Sequence, residues 1–199
     1  MAASCYLSMA FSGREQMNKY YALVFAVLAM LVSPYSISDQ KNDDLPALFG
    51  QLKAADSPQQ AIMIETEIWK KWYERSDAEG GDYMASAVDA MSSGRYTIAL
   101  NLLNNLVKKQ PDFAEAWNRR ATVHYLLGDY EQSLADIEQT LILEPRHFGA
   151  ISGIGLIMLQ VGDNERAIHA FERVLQISPK NMGAAKSIKD LEQKLGVTI

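Results

Sequence analysis

Cysteine is almost missing from this chain. Cys5 stands alone among 199 residues, so neither an intramolecular disulfide nor a cysteine-built zinc site can form. Histidine is scarce too. His124, His147 and His169 show none of the spacings that hold a metal on one helix face. Lys and Arg nowhere form a dense stripe, and 19 basic against 24 acidic side chains leave a formal charge of −5. Such a chain repels phosphate backbones, which excludes nucleic acid as its partner. No phosphate loop, nucleophile elbow or paired-carboxylate setting is present. Gly153-x-Gly155 lies in a helical pattern with no strand before it, so it is no nucleotide fingerprint. The sequence therefore reads as non-enzymatic, with no cofactor and no metal.

A full membrane-spanning run is missing as well. The longest apolar stretch is YYALVFAVLAMLV, residues 20–32, against the roughly 20 residues that a spanning helix needs. Thirteen positions suit the apolar region of a secretory signal peptide. Lys19 precedes the run, Pro34 breaks it, and Ser36 and Ser38 stand at −3 and −1 of a cut before Asp39. Met17 opens MNKYYAL and makes a better start than Met1, in which case Cys5 falls outside the protein. Residues 1–38 are thus expected to be a signal peptide and 39–44 a flexible lead-in. The protein is expected to be exported, to the bacterial periplasm. The alternative keeps 20–32 as an inner-membrane anchor facing the periplasm; any membrane contact would run through this segment alone.

What the sequence does hold is a period. Pro111, Pro145 and Pro179 stand 34 residues apart, and Gly94, Gly128 and Gly162 keep the same interval. With frames at 80–113, 114–147 and 148–181, further positions agree. The fourth is Tyr83, Trp117 and Ile151; the eighth is Ala87, Ala121 and Gly155. The twentieth is Ala99, Ser133 and Ala167, and the twenty-fourth is Leu103, Ile137 and Phe171. Each frame reads as two helices joined at the glycine, which tolerates positive φ, and stopped near the proline. Small residues at eight and twenty let the two helices approach, with large ones filling either side. One such unit cannot cover its own apolar face, so units stack.

The flanks read as caps. Residues 182–199 hold a capping helix with Ile188, Leu191 and Leu195 on one side. Residues 45–79 read as a degenerate helix pair at the head of the array. Ser57 is its N-cap, Pro58 its first helical residue, and Ile64, Ile68 and Trp72 its apolar row. Trp69 and Trp72 belong to its core. The fold class is all-α, a superhelix of antiparallel helix pairs.

A 34-residue helix pair with these marks resembles the tetratricopeptide repeat (TPR) family. The likeness covers 80–181, and EAWNRRAT and LEPRHFGA look like a subgroup of exported bacterial members. Arg120 and Ser86 depart from the family's large aliphatic, and His124, Ala90 and Met158 from its aromatic at position eleven. The resemblance implies a solenoid whose first helices line a concave groove with positions two, five, nine and twelve. Here those are Met84, Val88 and Met91; Glu115, Asn118, Thr122 and Tyr125; and Ser152, Leu156 and Leu159. That mixture suits a protein or peptide partner, with Asn118 pairing to a peptide backbone. The competing expectation is that the capping helices fill the groove. Chaperone-binding members grip a C-terminal carboxylate with lysines and asparagines, and only Asn118 falls on such a position. The function implied is an adaptor or scaffold of the periplasm or envelope; the alternative is a membrane-anchored structural subunit. Arg146 and His147 are expected to serve structure, pairing with a helix end or with Glu115 or Glu144. His124 is expected half-buried and His169 solvated.

Overall fold

The computed structural model describes residues 44–74 and 78–196. The expected signal peptide, its cut site and the alternative anchor lie outside the described residues. Among the described residues there are nine helices and no strand. They are α1 (Leu45–Lys53), α2 (Pro58–Tyr73), α3 (Ala78–Ser92), α4 (Tyr96–Lys109), α5 (Ala114–Leu127), α6 (Tyr130–Leu143), α7 (Phe148–Gln160), α8 (Asn164–Ile177) and α9 (Met182–Leu195). None of these is long and apolar enough to cross a membrane.

The glycine period becomes a backbone period. Gly94, Gly128 and Gly162 adopt φ of 69°, 81° and 81°, and each first helix closes with the same bond across its end. Arg95 N–H donates to Ala90 O at 2.8 Å, Asp129 to His124 O and Asp163 to Met158 O, both at 2.9 Å. This six-to-one bond satisfies a carbonyl that the helix end would orphan. Gly196 continues the series at φ 72°. The last helix is therefore the first helix of a fourth unit. Its buried side is Ala184 and Leu191, while Leu195, expected on that side, is exposed.

Small residues mark the crossings within each unit. Ala87, Ala99, Ala121 and Ala167 are buried, and Ser133 Oγ donates to Ala121 O at 2.8 Å. A Cβ on Gly155 would sit 2.7 Å from the Phe171 ring. Arg120, which departs from the usual aliphatic, replaces packing with a two-pronged ion pair. Its Nε and Nη2 donate to Asp136 at 2.8 and 2.7 Å, and Nη1 donates to Asn104. Its guanidinium also lies 4.8 Å from the Trp117 ring, a setting that favours arginine over lysine.

The first two helices depart from expectation. They form, with Ser57 Oγ accepting from Gln60 N–H at 3.2 Å and Ile64, Ile68 and Trp72 buried. They do not stack on the array as a leading repeat. Instead α2 meets α5 and α1 meets α8. Glu65 receives Ser178 Oγ and Asn181 Nδ2, both at 2.8 Å. Only Tyr73, at the end of α2, reaches the core of the first repeat. The pair is a strap laid over the junctions between repeats. The two indoles are seated on the third repeat, Trp69 against Gly149 and Trp72 against His147 at its head.

Candidate peptide-binding site

Each junction between repeats places one residue ahead of the next first helix: Phe113, His147 and Asn181. His147 uses this place twice. Its Nδ1 accepts from Ala150 N–H at 3.1 Å and so caps α7. That bond leaves the proton on Nε2, which lies 3.1 Å from Glu115 Oε2. Asn118 Nδ2 donates to the same oxygen at 2.9 Å, and Arg119 Nε donates to Oε1 at 2.6 Å. Glu115 and His147 are both fully buried. Burial alone pushes the Glu115 carboxyl up, but the His147 hydrogen bond and the Arg119 charge overcome it and hold the group below its ordinary value. Burial raises the Tyr73 phenol beside this cluster, and the Glu115 charge raises it further.

The strap covers this cluster. Trp72 stacks on His147 with centroids 4.0 Å apart and planes 9° from parallel. Trp69 stands edge-on to His147 and Phe148 at 5.2 and 5.4 Å. A Cβ on Gly149 would come within 2.6 Å of Trp69, so only glycine lets the indole lie on α7. Arg119 lies 5.7 Å from the Trp69 ring and 5.3 Å from Tyr73. Arg146 lies 4.0 Å from Phe49 while donating to the buried Glu144 at 3.0 Å. Arg146 and His147 thus serve structure, as expected.

Beyond the strap an open recess remains between α5 and α7, which meet directly. Asn118, Thr122 and Tyr125 form one wall, and Gly149, Gly153 and Leu156 the other. Ser133 and Ile137 of α6 also line it. No lining residue carries a charge. Tyr125 Oη accepts from Gln160 Nε2 at 3.2 Å across the opening.

Residues 84–141 and 127–182 match the family described as Tetratricopeptide repeat. The chain belongs to the tetratricopeptide-repeat family. A TPR repeat-containing protein of Rhizobium etli is 38% identical over 129 residues, 65% of this chain and 63% of that protein. Small glutamine-rich tetratricopeptide repeat-containing protein 2 of Saccharomyces cerevisiae is 28% identical over 78 residues, 39% of this chain and 22% of its own. The chain thus spans about 63% and 22% of the lengths of these relatives. Among solved structures, the first TPR of Spaghetti (RPAP3) bound to an HSP90 peptide superposes with TM-score 0.56 at 19% identity, covering 61% of this chain and 96% of that one. The Sgt2 TPR domain of Aspergillus fumigatus gives 0.56 at 19%, covering 60% and 81%. MamA gives 0.55 at 18%, covering 70% and 80%. These likenesses establish the fold.

Within the tetratricopeptide frame the ten groove positions divide. Thr122, Tyr125, Leu156 and one edge of Asn118 line the recess. Val88 and Leu156 are exposed, and Met91, Ser152 and Leu159 are partly so. Met84 is buried in the core of the first repeat with Leu103 and Leu106. Glu115 is sealed under the strap, and one N–H of the Asn118 amide goes to Glu115. Met84 and Glu115 are thereby corrected as groove-lining residues: Met84 faces the core of its own repeat, and the strap covers Glu115. The two rival expectations for the groove therefore share it, one end filled by α2 and the other open. Sequence reasoning missed Glu65, Gly149 and Gly153. A signal pointed to Gly149 alone: position two is glycine at 81, 149 and 183, where an amphipathic first helix has no need of it.

Proposed function

We propose that this chain is a non-enzymatic scaffold that seats an uncharged side chain of a protein or peptide partner in the recess between α5 and α7. The observation that carries this reading is the lining: apolar and hydroxyl groups around Ile137, Tyr125 and Leu156, with no charged side chain. Apolar pockets with a few orienting polar groups are the common form of peptide-recognition sites. The Spaghetti domain was solved with the acidic HSP90 peptide SRMEEVD. An acidic tail finds no cation in this recess. A neutral, apolar segment is the better match.

Export is part of the proposal. It is supported by the apolar run 20–32, Lys19 before it and the small residues before Asp39. The work of such a protein would lie in the periplasm or envelope. Mass spectrometry of the protein from its native cell tests this: a mature N-terminus at Asp39 supports export, and an N-terminus retaining 20–32 makes the chain a tethered subunit.

Residues 39–199 used as bait should capture a specific protein. Leu156 is 40% exposed, so Leu156→Glu places a charge in the recess without touching the core. Leu156→Glu and Tyr125→Ala should each abolish or weaken capture. Capture that survives both would place the site elsewhere.

A further inference from the structure

The strap meets the array in an unusual way. Helix α2 joins the array through a carboxylate, two indoles and the guanidinium that lies beside the first of them. Glu65 takes two donors, one from the end of α8 and one from the cap of α9. Trp69 lies on bare Gly149, and Trp72 lies flat on His147. Beneath this contact are Glu115 and Asn118, inward positions two and five of the second repeat. The seat is also imperfect, since Trp72 Nε1 is buried without an acceptor. A buried donor left unpaired costs free energy that release of the helix would recover.

We propose that the junction row is a receptor for an amphipathic helix, and that α2 is its resident occupant within the same chain. The matching partner is a helix on another protein with the pattern carboxylate-x3-aromatic-x2-aromatic, as Glu65, Trp69 and Trp72 present it. Ser178 and Asn181 receive the carboxylate, Gly149 gives flat ground for the first ring, and the imidazole of His147 faces the second. Such a partner binds only as α2 leaves, so the strap sets a threshold that weak competitors do not cross. Departure of α2 also uncovers Arg119 and the Glu115 end of the groove, lengthening the surface beyond the recess. The proposal rests on the scaffold reading and adds to it a second, gated site.

A fluorescent peptide of residues 58–73 is the probe, added to the full chain and followed by anisotropy. The wild-type chain, with its own strap seated, should bind it weakly. Glu65→Ala with Trp69→Ala, made in the full chain, removes contacts to the junctions and spares the buried Ile64, Ile68 and Trp72. That variant should bind the peptide at least about tenfold more tightly, or ~1.4 kcal/mol, and its α2 amides should exchange faster. A peptide carrying the same two substitutions should not bind. If the α2 amides speed up with no gain in peptide affinity, the receptor idea is overturned. If they do not speed up, the strap is no gate and the idea is equally overturned. Should the double variant lose its helicity, Glu65→Gln keeps every apolar contact and must give a smaller gain in the same direction; no gain overturns the proposal. Tyr125→Ala should leave peptide binding unchanged, which separates this site from the recess. Peptide binding lost in Tyr125→Ala but unmoved by the Glu65 variants would assign the peptide to the recess and sink the junction site.

Discussion

Truncating Trp72 tests whether the strap is structural glue or decoration. Trp72 is fully buried and touches four rings: His147 at 4.0 Å, Trp69 at 5.0 Å, Phe148 at 5.1 Å and Phe49 at 6.2 Å. A buried aromatic of this size removes roughly 150–250 Å² from water, worth about 4–6 kcal/mol at 25 cal/mol per Å². Lost ring stacking adds about 1 kcal/mol, and relief of the unpaired Nε1 returns about 1–2 kcal/mol. Trp72→Ala should therefore cost about 3–5 kcal/mol, the usual range for such truncations. At about 2–4 °C per kcal/mol for a domain of this size, the melting midpoint falls by roughly 6–20 °C. The location of the damage matters more than its size. In an array where units touch only neighbours, a lesion at one end weakens that end. Here the strap runs from the second repeat to the cap of α9, so the amides of α7 and α9 should lose protection together with α2. Urea melts and hydrogen exchange read both effects. A loss below about 1 kcal/mol, or protection lost in residues 45–74 alone, would refute the strap as a brace.

Two glycines in the same repeat position should respond with opposite sign. Gly149→Ala drives a methyl into Trp69, 2.6 Å away, and should cost about 1–3 kcal/mol. Gly183→Ala meets nothing nearer than 3.4 Å and should stabilise by a few tenths up to about 1 kcal/mol through helix propensity; urea melts of both check the pair. Trp72→Phe keeps the stacking and removes the orphan donor, so its cost should stay near or below about 1 kcal/mol in the same melts. Glu115 has a lowered folded-state value, so it stabilises fully above its ordinary 4.5 and loses that contribution as pH falls through the folded value. Melting midpoints should drop on acidification below about pH 4.5, and Glu115→Gln, less stable at pH 7, should show a flatter profile.

The array was legible because its signals are local and repeated. A glycine needing positive φ and a proline ending a helix act within a few residues of themselves, and each recurs at one interval. Gly196 belongs to that series, and counting one more period would have shown α9 to be the opening helix of a fourth unit. The seat of α2 was not legible. Its partners lie 113 and 116 residues away for Glu65, and the pattern Ile64, Ile68, Trp72 says which face is buried without saying against what. Glu115 was legible in part. Its pairing with His147, within the same 114–147 frame, was among the expected contacts, whereas the cover that α2 lays over the pair was not.

The strap also changes what the open recess can do. A solenoid flexes because each unit pivots on the next, and a flexing groove gives up affinity to ordering. The recess here lies between α5 and α7, and α2 clamps the junctions that start both helices through Glu115, His147 and Gly149. Its walls are therefore held before any ligand arrives. Loosening the strap must then act in opposite directions at the two sites. Glu65→Ala with Trp69→Ala frees the junction row for a competing helix, yet it softens the frame of the recess and should slow capture there or shorten its lifetime. Measured on one variant with the helix peptide and the captured partner side by side, gain at the first and loss at the second would show that a single hairpin both guards one surface and stiffens the other. Parallel changes at both would mean that the two surfaces are one.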